Sequence, residues 1–180
     1  MKATGIVRRI DDLGRVVIPK ELRRTMRIRE GDPLEIFTDK DGELIFKKYS
    51  PIGELSEHAQ QLCECLRRAT EQSSAVCDRD SVIALSGAGR KELLEKAISP
   101  QLSQLLERRS AYSYAGGEEE LPVIQGDSLY RISTLCPVIS QGDLLGGVLF
   151  VCPKGEPPAT ELEQKLAQII AGFLGRQMED

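Results

Sequence analysis

Seven basic side chains crowd the start of the chain: Lys2, Arg8, Arg9, Arg15, Lys20, Arg23 and Arg24. Arginine dominates the set, and a guanidinium offers a planar fork of N–H donors that fits phosphate oxygens, or the O6 and N7 atoms of guanine. Chemistry of this kind holds a polyanion. Across the whole chain the formal net charge is −4, which hides the pattern. Residues 1–50 carry 12 Lys and Arg against 9 Asp and Glu, a net +3, and residues 1–30 carry 9 against 4, a net +5. Residues 51–180 carry 12 against 19, a net −7. A basic module joined to an acidic one is expected, the first suited to nucleic acid and the second not. A solvated basic face accounts for the charge alone equally well, so the pattern of elements must decide.

Other reactive side chains are few. The five cysteines, at 63, 65, 77, 136 and 152, form no C-x-x-C pair and are odd in number. That argues against a disulfide framework and against a zinc site. Cys63 and Cys65 would point about 200° apart on a helix and cannot share a ligand easily. Reduced, buried thiols are expected instead. His58 is the single histidine and has no evident catalytic partner. No catalytic residue and no metal ligand is therefore assigned. No phosphate-binding P-loop motif occurs, and the only aromatic residues of the first fifty are Phe37, Phe46 and Tyr49, which strand packing explains. Duplex DNA fits better than single strands.

The elements that must position the arginines are short. Gly5–Ile10 and Arg15–Ile18 read as strands on either side of an Asp11–Gly14 turn. Pro19 opens a helix through Met26, with Leu22 and Met26 on one face. Pro33–Phe37 and Glu43–Tyr49 read as a second hairpin across Asp39–Gly42. One short helix is too little for a helix-turn-helix. Four short strands and one helix in fifty residues bury little surface, so self-association is expected, with Val16, Val17, Ile18, Leu34 and Ile36 sharing a core between chains.

The run Asp11-Asp12-Leu13-Gly14-Arg15-Val16-Val17-Ile18-Pro19-Lys20-Glu21-Leu22-Arg23 resembles the AbrB family of transition-state regulators. The likeness extends along essentially the full length, to members whose second domain is GAF-like. It implies a swapped-hairpin β-barrel dimer at residues 1–53 and a GAF-like regulatory domain at 54–180. It also implies double-stranded DNA as partner, read by Arg8, Arg9, Arg15, Arg23 and Arg24, with Lys2 and Lys20 in support. Sequence-dependent control of developmental, sporulation-related genes follows from the same likeness.

Beyond a boundary expected at 49–53, the order is α+β. Leu55, Ala59, Leu62, Leu66 and Ala69 form one helical stripe; Leu162, Leu166, Ile169, Ile170 and Phe173 form another, after a capping-box pattern at Thr160 and Glu163. Either stripe can cover the domain's own sheet or join two chains, giving a homotetramer. Strands are expected at 75–77, 81–85, 130–139 and 144–152, the last two as a hairpin, and helices at 90–98 and 101–108. An antiparallel sheet flanked by helices results. The resemblance implies an unidentified small-molecule ligand for this half; Ser86-Gly87-Ala88-Gly89-Arg90 is a possible anion loop, and the run 116–120 reads as a solvated acidic loop. Two other readings stay open: an antitoxin-like autoregulator, and a GAF-type thiol redox enzyme using Cys77, Cys136 and Cys152. The longest apolar runs are too short to span a bilayer, and the N-terminus lacks the apolar stretch of a signal peptide, so a cytoplasmic protein is expected.

Overall fold

The computed structural model describes residues 5–126 and 129–179. They divide after Tyr49 into two compact units. In the first unit, helix α1 (Lys20–Thr25) follows Pro19, and strands β1 (Leu34–Thr38) and β2 (Leu44–Lys48) pair antiparallel with Ile36 opposite Phe46. The hairpin turn is held by Asp39, whose carboxylate accepts the N–H groups of Asp41 and Glu43. The strands expected at 5–10 and 15–18 do not form. Only the Asp11–Gly14 turn does, closed by Gly14 N–H on Asp11 O (3.0 Å) and Asp11 N–H on Arg15 O (3.1 Å). A strand needs lateral partners for its N–H and C=O groups, and within one chain these arms find little beyond that turn. Their apolar side chains stand open: Val7 is 85% exposed, Ile10 66% and Val17 71%.

The second unit begins where a linker was expected. Ser50 caps a single turn, α2 (Pro51–Glu54), by accepting the Gly53 N–H, and Ile52 is fully buried in the second unit's core. Ser50 Oγ also donates to Asp78 (3.1 Å). Helix α3 (Ser56–Thr70) follows, then strands β3 (Ser73–Asp78) and β4 (Val82–Ser86), helices α4 (Arg90–Leu93) and α5 (Pro100–Glu107), strands β5 (Tyr112–Ser113), β6 (Tyr130–Ser140) and β7 (Asp143–Pro153), and helix α6 (Glu161–Gln177). The sheet order is β4-β3-β7-β6-β5, antiparallel throughout. β6 and β7 meet in a two-residue turn, Gln141-Gly142, both at positive φ, which matches the twist of long paired strands.

Apolar residues fill both faces of this sheet. On one, Leu85, Leu93, Leu102, Leu106 and Leu135 pack under α4 and α5; on the other, Ile52, Ala59, Cys63, Phe150 and Leu174 pack under α2, α3 and α6. The helix expected over 90–98 stops at Leu93. Backbone at Glu95 and Lys96 pairs with Val82 instead, closing the free edge of β4. An unpaired sheet edge takes any backbone within reach.

Candidate nucleic-acid interface

Asp11 builds the first part of the basic surface. Its Oδ1 accepts the N–H groups of Leu13 (3.1 Å) and Arg15 (2.8 Å), and its Oδ2 accepts Arg15 Nε (2.8 Å). These donors, the Arg15 backbone N–H first, hold the Asp11 carboxyl below its ordinary range. The guanidinium of Arg15 is oriented at the turn and keeps four further N–H donors on its Nη atoms. Gly14 sits at φ +77 there, a backbone setting that other residues adopt only with strain. Arg8 and Arg9 are exposed on the arm leading into this turn.

Helix α1 makes the second part. Lys20, Arg23 and Arg24 are all exposed, and the spacings of three and four bring them to one side of the helix. The helix buries no residue of its own. Its end is a left-handed stop: Arg27 lies at φ 53, Met26 N–H donates to Leu22 O (2.8 Å), and Ile28 N–H to Arg23 O (2.8 Å). Lys2, the seventh expected residue, lies outside the described residues. Sequence reasoning treated Asp11 only as a turn former. Its spacing of four from Arg15 was the available signal that it also orients that guanidinium.

In the second unit, several expectations change. Ala88 N–H is used on Ser73 Oγ (2.8 Å), and the Arg90 guanidinium on Leu85 O and Gln60 Oε1, so the 86–90 loop spends these donors internally. The acidic run is not merely solvated. Glu120 reaches the fully buried Arg131 (3.0 Å), which also donates to the carbonyls of Glu156 (2.7 Å) and Pro157 (2.9 Å) and lies 4.0 Å from the centre of the Tyr114 ring. A buried charge needs such partners, and no composition or spacing revealed that Arg131 was buried.

The stripe on α6 is split: Leu166 and Ile170 pack against the core, while Leu162, Ile169 and Phe173 face outward. Leu162 is 55% exposed and Ile169 64%, whereas Ala167, Ala171 and Leu174 pack on the sheet. Gly175 lets the helix come down on the Ile139 carbonyl, where a Cβ would collide. The capping box at Thr160 and Glu163 does form. On α3 the buried line is Ala59, Cys63 and Leu66, while Ala69 is exposed. Burial pushes the Cys63 thiol up to about 12 and raises those of Cys77, Cys136 and Cys152. Such thiols stay protonated and are poor nucleophiles. Among the described residues no cluster of three or more His, Cys, Asp or Glu could hold a metal ion, and no helix is long and apolar enough to cross a membrane.

A basic unit of one hairpin, a turn and one helix, joined to an α+β unit with a five-stranded antiparallel sheet, defines a two-part regulator class. Residues 54–179 match the family described as stage V sporulation protein T C-terminal, transcription factor, and residues 7–54 match the MazE antidote-toxin recognition family of bacterial antitoxins. The chain is 48% identical over 179 residues to stage V sporulation protein T of Bacillus subtilis, covering 99% of each. It is 65% identical over 105 residues to the transition state regulatory protein AbrB of the same organism, covering 58% of this chain and 97% of AbrB. The chain belongs to the stage V sporulation protein T family of transcription factors. In fold, it is similar to the GAF domain of an Acinetobacter phosphoenolpyruvate-protein phosphotransferase, with a TM-score of 0.55 at 11% identity, over 69% of this chain and 81% of that one.

Proposed function

We propose that this chain is a self-associating, double-stranded DNA-binding regulator of sporulation genes, with residues 1–53 as the DNA-binding domain and 54–180 as the regulatory one. A single observation carries the reading: every described residue of the basic set is exposed, on a unit whose described residues form no apolar core. Fifty residues cannot fold on so little burial, and a second copy whose hairpins interleave with the first supplies the missing core. Dimerisation doubles the arginine surface, and Arg8, Arg9, Arg15, Arg23 and Arg24, with Lys2 and Lys20, contact the duplex.

A second contact between chains is assigned to the outward stripe of α6, giving a tetramer. Three exposed apolar side chains on one helix, Leu162, Ile169 and Phe173, favour a protein partner. Regulation by a small molecule at the GAF-like domain requires that it bind two arrangements of the assembly with different affinity. No catalytic step is proposed. The family match at residues 7–54 supports one alternative, an antitoxin-like autoregulator; against it, residues beyond 50 pack a core rather than forming a tail that folds on a toxin.

Titration of duplex DNA by the full chain across salt concentrations tests the main reading. If each protomer of a dimer neutralises about four phosphates, the log-log slope is near −7. Arg15→Ala/Arg24→Ala flattens it. A wild-type slope shallower than about −2 shows that the basic face is not the contact surface.

A further inference from the structure

Helix α1 has six residues and buries none of them, and so short a helix does not persist in water unaided. Something beyond its own hydrogen bonds must hold it. The structure supplies a clamp at its C-terminal end. Lys48, the last residue of β2, places its Nζ 3.0 Å from the carbonyl oxygen of Arg27 and 3.1 Å from Asp32 Oδ2. Asp32 Oδ2 also accepts the Arg29 N–H (2.8 Å), and the Asp32 N–H donates to Arg29 O (3.2 Å). The Asp32 side chain is only 4% exposed, in a unit where most side chains are open to solvent. Tyr49 N–H, next in the chain, donates to Pro33 O (3.0 Å), so both ends of the clamp are fastened into the β1–β2 hairpin.

Arg27 is the residue at positive φ that stops α1, a conformation that costs a non-glycine side chain energy. The ammonium on its carbonyl compensates that cost where it arises. Two residues before α1 ends lies Arg23, whose carbonyl accepts the Ile28 N–H in the same stop. Arg24 is its neighbour, and its carbonyl accepts the Arg27 N–H (3.3 Å).

We infer that Lys48 and Asp32 are positioning residues for DNA binding: their ion pair ties the end of α1 to the second hairpin and thereby sets where Arg23 and Arg24 present their guanidinium groups. This inference rests on the DNA-binding face proposed above. Lys48 is thus a cation of the basic module that acts through other residues and not on phosphate.

The test is a double-mutant cycle on the full chain, read by anisotropy of a labelled AT-rich duplex of roughly three helical turns, at low ionic strength where residual binding is measurable. Arg23→Ala/Arg24→Ala is expected to weaken binding at least about tenfold, and Lys48→Met by about tenfold. Lys48→Arg, which keeps charge and donors, restores binding. In the Arg23→Ala/Arg24→Ala background, Lys48→Met has no further effect, because the groups it positions are gone. A multiplicative effect in that background, unaltered binding by Lys48→Met, or failure of Lys48→Arg to restore it overturns the clamp. Should Lys48→Met fail to fold, Asp32→Asn removes the charge and keeps the shape; a loss abolished in the same background supports the clamp, and wild-type binding overturns it. If Arg23→Ala/Arg24→Ala binds like the wild type, the face itself falls, and the clamp with it. If that pair loses binding and Lys48→Met does not, only the clamp falls.

Discussion

The two units of this chain treat apolar side chains in opposite ways. Every hydrophobic residue of the buried core lies at Ile52 or beyond, whereas Val7, Ile10, Leu13, Val17, Ile36 and Leu44, all in the first unit, are more than half exposed. Both units have ordinary apolar content and both are cut into short elements. The difference is chain length: about 130 residues can wrap a five-stranded sheet on both faces, and about fifty cannot. A short unit that keeps its apolar residues nonetheless is built to be completed from outside itself. Net charge follows the same division: the residues of the unit without a core, 1–50, sum to +3, and residues 51–180 to −7.

Substitutions sharpen this contrast, and the largest effects fall in the second unit. Phe150→Ala, in the core beneath α3 and α6, should cost about 3–5 kcal/mol, read as a loss in urea unfolding of that unit. Arg131→Met takes the cation from Glu120, which keeps the Gly155 N–H, and removes the donor to the Glu156 and Pro157 carbonyls; a cost of about 3 kcal/mol is expected by the same measurement. In the first unit, Val17→Ala discriminates. A side chain as exposed as Val17 is in one chain predicts a change within about 0.5 kcal/mol, while a core shared between chains predicts about 1–2 kcal/mol and a melting temperature that falls on dilution.

Smaller effects come from ionisation. The Cys63 thiol, raised from 9.0 to about 12 by burial, contributes stability that is complete below pH 9 and is lost as pH climbs from there toward 12. Unfolding titrations of the second unit should show that alkaline decline, and a thiol reagent at pH 8 should modify the exposed Cys65 before Cys63 or Cys77. The least effect is at the Asp11 turn. Its carboxyl is depressed below 3.8, so the turn's support is present above that value and lost only as pH falls through the lower, folded value. Amide exchange at Leu13 and Arg15 should quicken at that point, with no matching change in the second unit.

Much of the second unit was readable in advance. The β6–β7 hairpin, α5, the capping box of α6 and the antiparallel sheet all follow from local pattern. The errors share one cause. Residues 94–98 have a helical pattern, yet the open edge of β4 draws their backbone into pairing. For the α6 stripe, pattern left open whether it covers the sheet or joins chains; Gly175 and two alanines let their side of the helix approach the sheet closely while Leu162 and Ile169 stay outside. Ile52 lay in a stretch read as linker because Pro and Gly surround it. In each case a neighbour distant in sequence overrode local preference.

For the basic surface, the likeness to the AbrB family nominated Arg8, Arg9, Arg15, Arg23 and Arg24, with Lys2 and Lys20, and the residue types supported it, because a guanidinium's affinity for anions is a property of the group and travels with it. Which groups restrain them was decided only in three dimensions. The Asp11–Arg15 pair is local and could be counted off at i and i+4. The Lys48–Asp32 pair and the grip on the Arg27 carbonyl join residues up to 21 apart in sequence, and Arg131 finds Glu120 and the Glu156 carbonyl only because the sheet brings two loops together. Charge is written in composition, whereas burial and partnership are created by the fold.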